Sequence, residues 1–207
     1  PRCLPSSRGS LVALDRETLT PVPFFDGESV LRLQGCNPTQ LLLLDEDTLL
    51  VGISGNFRSL VGEALHVDDG GIERIDLRTG RSLGWVTTET GLGDRDIVRL
   101  AGGAEGRLWV SLADDAFAIS VHPLRLDAGG SARLGPEVFA SEGAYALLEA
   151  EGHLFIADRA RRGHGVVVLD ARSGAAVDRI GTFHPPFDLA AYRIDGASCG
   201  GRTADVD

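Results

Sequence analysis

A chain of 207 residues is long enough for one well-cored domain, and two would fit. The formal net charge of −10 argues against a nucleic-acid partner, which needs a concentrated basic surface, and against docking on anionic lipid. With 43% hydrophobic residues the composition is globular, and no apolar run reaches the ~18 residues needed to span a bilayer.

The chain opens with Cys3, one of three cysteines that lack the close Cys/His spacing of a zinc site. Next comes "GSLVALDRETLTPV" from Gly9, where alternating apolar residues run to Asp15, turn, and resume as a strand. Cys3 and Cys36 flank this hairpin, whose ends must meet. They are the preferred disulfide pair, with unpaired thiols as the alternative and Cys199 left over.

"PTQLLLLDEDTLL" comes nearest to a helical stripe, but Asp45, Glu46 and Asp47 break it into two short strands. The long connection 54–71 follows. Its Phe57 and Arg58 are candidate ligand- or protein-binding residues, because long loops on rigid scaffolds often carry recognition. A plain rim loop is the alternative.

"GIERIDLRTGRSLGWV" from Gly71 repeats the hairpin at Asp76, and "GVVVLDARSGAAVDRI" from Gly165 repeats it at Asp170. A weaker copy, "ISVHPLRLDAGGSARL", turns at Asp127. Each Asp is expected to accept a backbone N–H two residues on, while Gly80 and Gly174 supply the positive φ of the turn. Leu19 stands where those glycines stand, so the first turn must be different or strained.

Ahead of the later hairpins lie paired strands: "TQLLLL" with "DEDTLLVGISG", "DIVRLA" with "AEGRLWVSLADD", and "YALLEA" with "AEGHLFIADRAR". In "SEGAYALLEAEGHL", Gly152 favours a turn over a helix. "FDLAAY" starts the same unit again. Four antiparallel strands at this spacing predict an all-β fold, a β-propeller, with a β-sandwich as the alternative. The units fall at 8–35 (partial), 38–95, 96–143, 144–185 and 186–195 (partial) within one domain, 1–207. Either the chain is part of a larger propeller or it closes as a small four-bladed ring.

The hairpins "LFIADRA" and "GVVVLDARSGAAVDRI" resemble the YVTN-type bacterial β-propeller repeat family over most of residues 8–192. That resemblance implies an extracytoplasmic protein: periplasmic, secreted, or held at the surface by a lipid anchor upstream. The sequence holds no Met and hence no initiator, which reads as a processed or cropped product. "IDLRTGRSLGW" is more distantly similar to quinoprotein (PQQ-type) repeats. Trp85 has no counterpart in the other copies, however, so quinone binding is not expected.

Candidate chemistry lies at the start of each innermost strand. Aligning Leu44, Leu100 and Leu148 makes Gln40, Asp96 and Ala144 equivalent, with Asp188 as a fourth. No catalytic residue and no cofactor is expected. If a metal were bound it would be Ca²⁺, on Asn37, Asp96 and Asp188. The five histidines share no repeat position, although His153 and His164 are close enough in sequence to meet across adjacent strands. The functional expectation is a non-catalytic binding or scaffold module for an unidentified protein or small molecule. A Ca²⁺-dependent propeller hydrolase of the lactonase kind is the alternative.

Overall fold

The computed structural model describes residues 8–23, 28–55 and 70–191. Phe57, Arg58, Cys3 and Cys199 lie outside them. Within the described residues every regular element is a strand except two 3₁₀ turns, Thr90–Leu92 and Ala104–Gly106. No helix among them is long and apolar enough to cross a membrane.

The first sheet is built from β1 (Ser10–Leu14), β2 (Pro21–Val22) and β3 (Val30–Arg32). Asp15 and Gly9, six residues apart on one strand, both turn their backbone groups to a partner: Asp15 to Thr20 and Gly9 to Gly35 and Leu33. Even spacing means one edge. β3 therefore continues along the edge of β1 that β2 begins.

The second sheet runs in the order β4 (Pro38–Leu43), β5 (Thr48–Ile53), β6 (Gly71–Asp76), β7 (Arg81–Thr88). The third has β8 (Asp96–Gly102), β9 (Leu108–Ala113), β10 (Ile119–Leu126) and β11 (Ala132–Leu134). In it, β12 (Phe139–Ser141) also pairs with β10. The fourth is β13 (Ala144–Ala150), β14 (His153–Asp158), β15 (Gly165–Asp170), β16 (Ala176–Gly181). "FDLAAY" forms no strand over its described residues, 187–191, because no neighbour pairs with its backbone.

Sheets stack because a strand with two apolar faces must bury both. In β9, Leu108, Val110 and Leu112 enter a cluster with Leu50, Ile72 and Val86 of the second sheet. Trp109 and Ala113, on the opposite face, join Leu154, Ile156, Val167 and Leu169 of the fourth. Leu33 similarly packs on Val51, Ile53 and Ile75. The innermost strands stand side by side, β4 against β8 and β8 against β13.

Two buried glutamates fasten neighbouring sheets. Glu73 on β6 accepts the Gln34 N–H at 2.9 Å, and burial pushes its carboxyl above the usual range against its hydrogen bonds from Ser82 and Gln34. Glu149 on β13 reaches back to the third sheet, accepting the Trp109 indole N–H, the Ala104 N–H at 2.9 Å and an Arg107 contact at 3.5 Å. Arg107 also donates to the Ala171 carbonyl at 2.8 Å.

The hairpin turns are built by their aspartates. Asp15 accepts from the N–H of Glu17 and Thr18, Asp76 from Arg78 and Thr79, Asp170 from Arg172 and Ser173. Asp127 caps its own turn through Ser131. Leu19 sits at φ +55°, beside Gly80 at +61° and Gly174 at +72°. It adopts the glycine conformation without being glycine, and it is 70% exposed, so nothing packs against it. Leu19→Gly is expected to raise stability by about 1 kcal/mol, read as a higher midpoint in urea with an unchanged slope.

Candidate functional site

Each innermost strand carries a β-bulge near its start. Pairing skips Thr39 between Pro38 and Gln40 in β4, Val98 between Ile97 and Arg99 in β8, and Tyr145 between Ala144 and Ala146 in β13. A bulged residue is free of the ladder and its side chain is re-aimed, which is why bulges gather at binding sites. Thr39, Val98 and Tyr145 all line one cavity of about 250 Å³. Ile97, Ala113, Phe117 and Ile119 complete its apolar wall, and Arg99 is its charged residue.

A second cavity of about 280 Å³ shares Thr39 and Arg99 with the first. Gln40, Ala146, Leu147, Phe187 and Asp188 contribute to it. Arg159 joins the two by its stacking, with its guanidinium 5.1 Å from the Tyr145 ring centre and 4.7 Å from that of Phe187. Its Nε is buried and has no hydrogen-bond partner. Arg99 donates from one Nη to the Val98 carbonyl at 2.9 Å.

Two of the sequence-predicted residues, Gln40 and Asp188, thus meet at one cavity. The others do not. Asp96 is buried, 6% exposed, and lines neither chamber. Asn37 turns at φ +65° and donates to the Gly55 carbonyl at 3.4 Å. The alignment behind Gln40 and Asp96 is corrected by strand pairing. Leu42 faces Leu50, as Leu100 faces Val110 and Leu148 faces Phe155, so Leu42 is the equivalent residue and not Leu44. Pro38, opposite Ile53, therefore holds the place of Asp96 and Ala144. Four consecutive leucines offered no unique register.

His153 and His164 are also kept apart. His153 pairs with Asp170 at one end of the β14–β15 ladder, and His164 precedes Gly165 at the other. Cys36 is disulfide-bonded, its partner lying outside the described residues. Among the described residues no group of three His, Cys, Asp or Glu is placed to hold a metal. Among the described residues the two chambers offer Asp188 as their single carboxylate and add the positive charge of Arg99, a donor set that does not suit Ca²⁺, which takes six to eight oxygens.

One polar cluster escaped sequence reading. His122 on β10 is 4% exposed, with Nε2 3.0 Å from Ser120 Oγ and 2.9 Å from an Arg95 Nη. Its Nδ1 lies 3.0 Å from the Gly135 carbonyl and donates to it, leaving Nε2 as acceptor. Arg95 in turn donates to the Leu92 carbonyl, pinning the 3₁₀ turn to β10. Neither cavity described above reaches Ser120 or His122, so this is a clasp between elements.

Burial holds the His122 pKa below its usual 6.5, helped by the Arg95 charge and opposed by the Gly135 hydrogen bond and the Glu137 charge. The unfolded chain then takes a proton before the folded one does, so stability falls as pH drops through about 6.5. Urea midpoints between pH 7.5 and pH 5 should show that loss, and His122→Gln should flatten it.

No protein-family model and no curated protein matches the sequence. Two solved structures resemble the fold. A functionally unknown protein from Desulfotomaculum acetoxidans is 14% identical with a TM-score of 0.57, over 89% of this chain and 53% of that one. A calcium-binding protein, regucalcin, from Agrobacterium tumefaciens is 16% identical with a TM-score of 0.51, over 86% of this chain and 52% of that one. The chain thus spans about half the length of each of these two structures. The likeness carries the fold alone, which is β-propeller-like.

Proposed function

We propose that the protein is a non-catalytic binding module that holds a small ligand where its innermost strands begin. The observation that carries this reading is the convergence of three bulged residues, Thr39, Val98 and Tyr145, on one cavity. Bulges near the starts of three innermost strands, the one in β8 a pair further along than those in β4 and β13, give up ladder pairing at each strand. The return is a preformed apolar chamber with one charged residue, the usual make-up of a small-molecule site. In this reading the sheets are successive blades of a propeller of YVTN-type repeats, and the ligand sits beside its axis. The disulfide at Cys36 is in keeping with an extracytoplasmic location, where oxidising conditions preserve such bonds.

Ligand-observed NMR with a library of small molecules tests the proposal. Molecules that bind the native protein should be lost from Val98→Trp, which fills the chamber from a position outside the ladder. Binding that survives the substitution places the site elsewhere. A Ca²⁺-dependent hydrolase is the rival. It requires the melting midpoint to rise with Ca²⁺ and fall in chelator, and no such shift is expected.

A further inference from the structure

We infer that the ligand is an amphipathic carboxylate, a hydrophobic tail ending in a carboxylate group, with its tail in the apolar chamber and its charge on Arg99; this rests on the binding reading above. The chemistry of the walls divides the space in two. Ile97, Val98, Ala113, Ile119 and Tyr145 offer the tail carbon and ring surface, with the Tyr145 hydroxyl and the Thr39 hydroxyl, which donates to the Gly52 and Ile97 carbonyls, as polar points. At the boundary with the second chamber stands Arg99, common to both walls.

Among the described residues Arg99 makes no ion pair. Its hydrogen bond to the Val98 carbonyl occupies one Nη, which leaves Nε and the other Nη to face a planar anion. Its guanidinium thus lines both chambers with no carboxylate partner among the described residues. Arg159 repeats the pattern, being stacked between Tyr145 and Phe187 with a buried Nε that has no hydrogen-bond partner. Both belong to the same end of the molecule, since Arg159 follows Asp158, which pairs with Ala144 at the start of β13.

Further positive charge lies on that end. Arg161 and Arg162, on the loop after β14, line a shallow hollow with Glu142 and Ala160. Together these arginines make a local positive field on an acidic protein, which draws anions towards the chamber mouth. Asp188 also lines the second chamber. It disfavours a second negative group, so one carboxylate on an otherwise apolar body is the class that fits.

Calorimetric titration with phenylbutyrate, phenylbutanol and butyrate tests the inference. Phenylbutyrate should bind about tenfold or more tighter than phenylbutanol, the ratio expected of one charge-assisted hydrogen-bonded pair. Butyrate, without the ring, should be weaker than phenylbutyrate by a comparable factor. In Arg99→Gln the preference for the acid over the alcohol should disappear, and Arg99→Lys should restore part of it. Melting curves of both variants confirm that they are folded.

Equal binding of acid and alcohol by the native protein overturns the inference, and if Val98→Trp still abolishes both, the chamber reading survives it. An acid preference that persists in Arg99→Gln also overturns it, because the charge is then read elsewhere. No binding of any of the three probes overturns the class assignment and leaves the chamber to the library experiment. Binding unaffected by Val98→Trp overturns both readings.

Discussion

Truncating Trp109 to alanine is expected to lower the unfolding free energy by about 3–5 kcal/mol, the range for large-to-small changes at a fully buried aromatic. The side chain is 2% exposed and belongs to the cluster between the third and fourth sheets. Its loss opens a cavity and also strands Glu149, whose carboxylate is buried at 2% side-chain exposure and would keep only the Ala104 N–H and the longer Arg107 contact. Trp109→Phe separates the two effects. It retains most of the packing but removes the indole donor, so the difference between the two variants measures the carving of the cavity. A midpoint in urea for Trp109→Ala within experimental error of the native one would show that this interface contributes little to the fold.

The second large effect is expected at Gly71. Its φ is +134°, a region that side chains rarely adopt. A Cβ there would press on the Thr87 carbonyl oxygen and come 2.8 Å from Thr88 Cα, both backbone atoms that cannot rotate away. Gly71→Ala should therefore cost about 3 kcal/mol or more, with backbone strain and a forced separation of β6 from β7 acting together. Gly165, at the same place in the fourth sheet with φ +159°, faces the Ile180 carbonyl oxygen in the same way. If Gly71→Ala melts like the native protein, the close approach of these strands is not required.

Much of this architecture was legible because it rests on local chemistry. The Asx turns at Asp15, Asp76 and Asp170 need only an acceptor and two nearby N–H groups, so the residues name the turn without help from the rest of the chain. The strain at Leu19 was legible for the same reason, by comparison with Gly80 and Gly174.

What escaped reading depends on partners distant in sequence. A bulge exists only relative to the facing strand, so nothing in "TQL", "IVR" or "AYA" marks Thr39, Val98 or Tyr145 as unpaired. The leucine run of β4 could slide by two residues with no change in which face is apolar, and that slip displaced Gln40 from its true equivalents. Arg99 reads as one more surface arginine until the cavity is seen on both sides of it. The burial of His122, Glu73 and Glu149 has no mark in the sequence for a similar reason, since it is set by an adjacent sheet.

The bulges have a consequence for how such a molecule changes over generations. Residues in the ladder answer to two demands, because their side chains must fit the stack while their backbone holds register. Thr39, Val98 and Tyr145 are released from the second demand. Each comes from a different sheet, so the three can vary independently, as separate dials on one chamber. A new specificity is then reachable by single steps that leave the paired ladder of every sheet untouched.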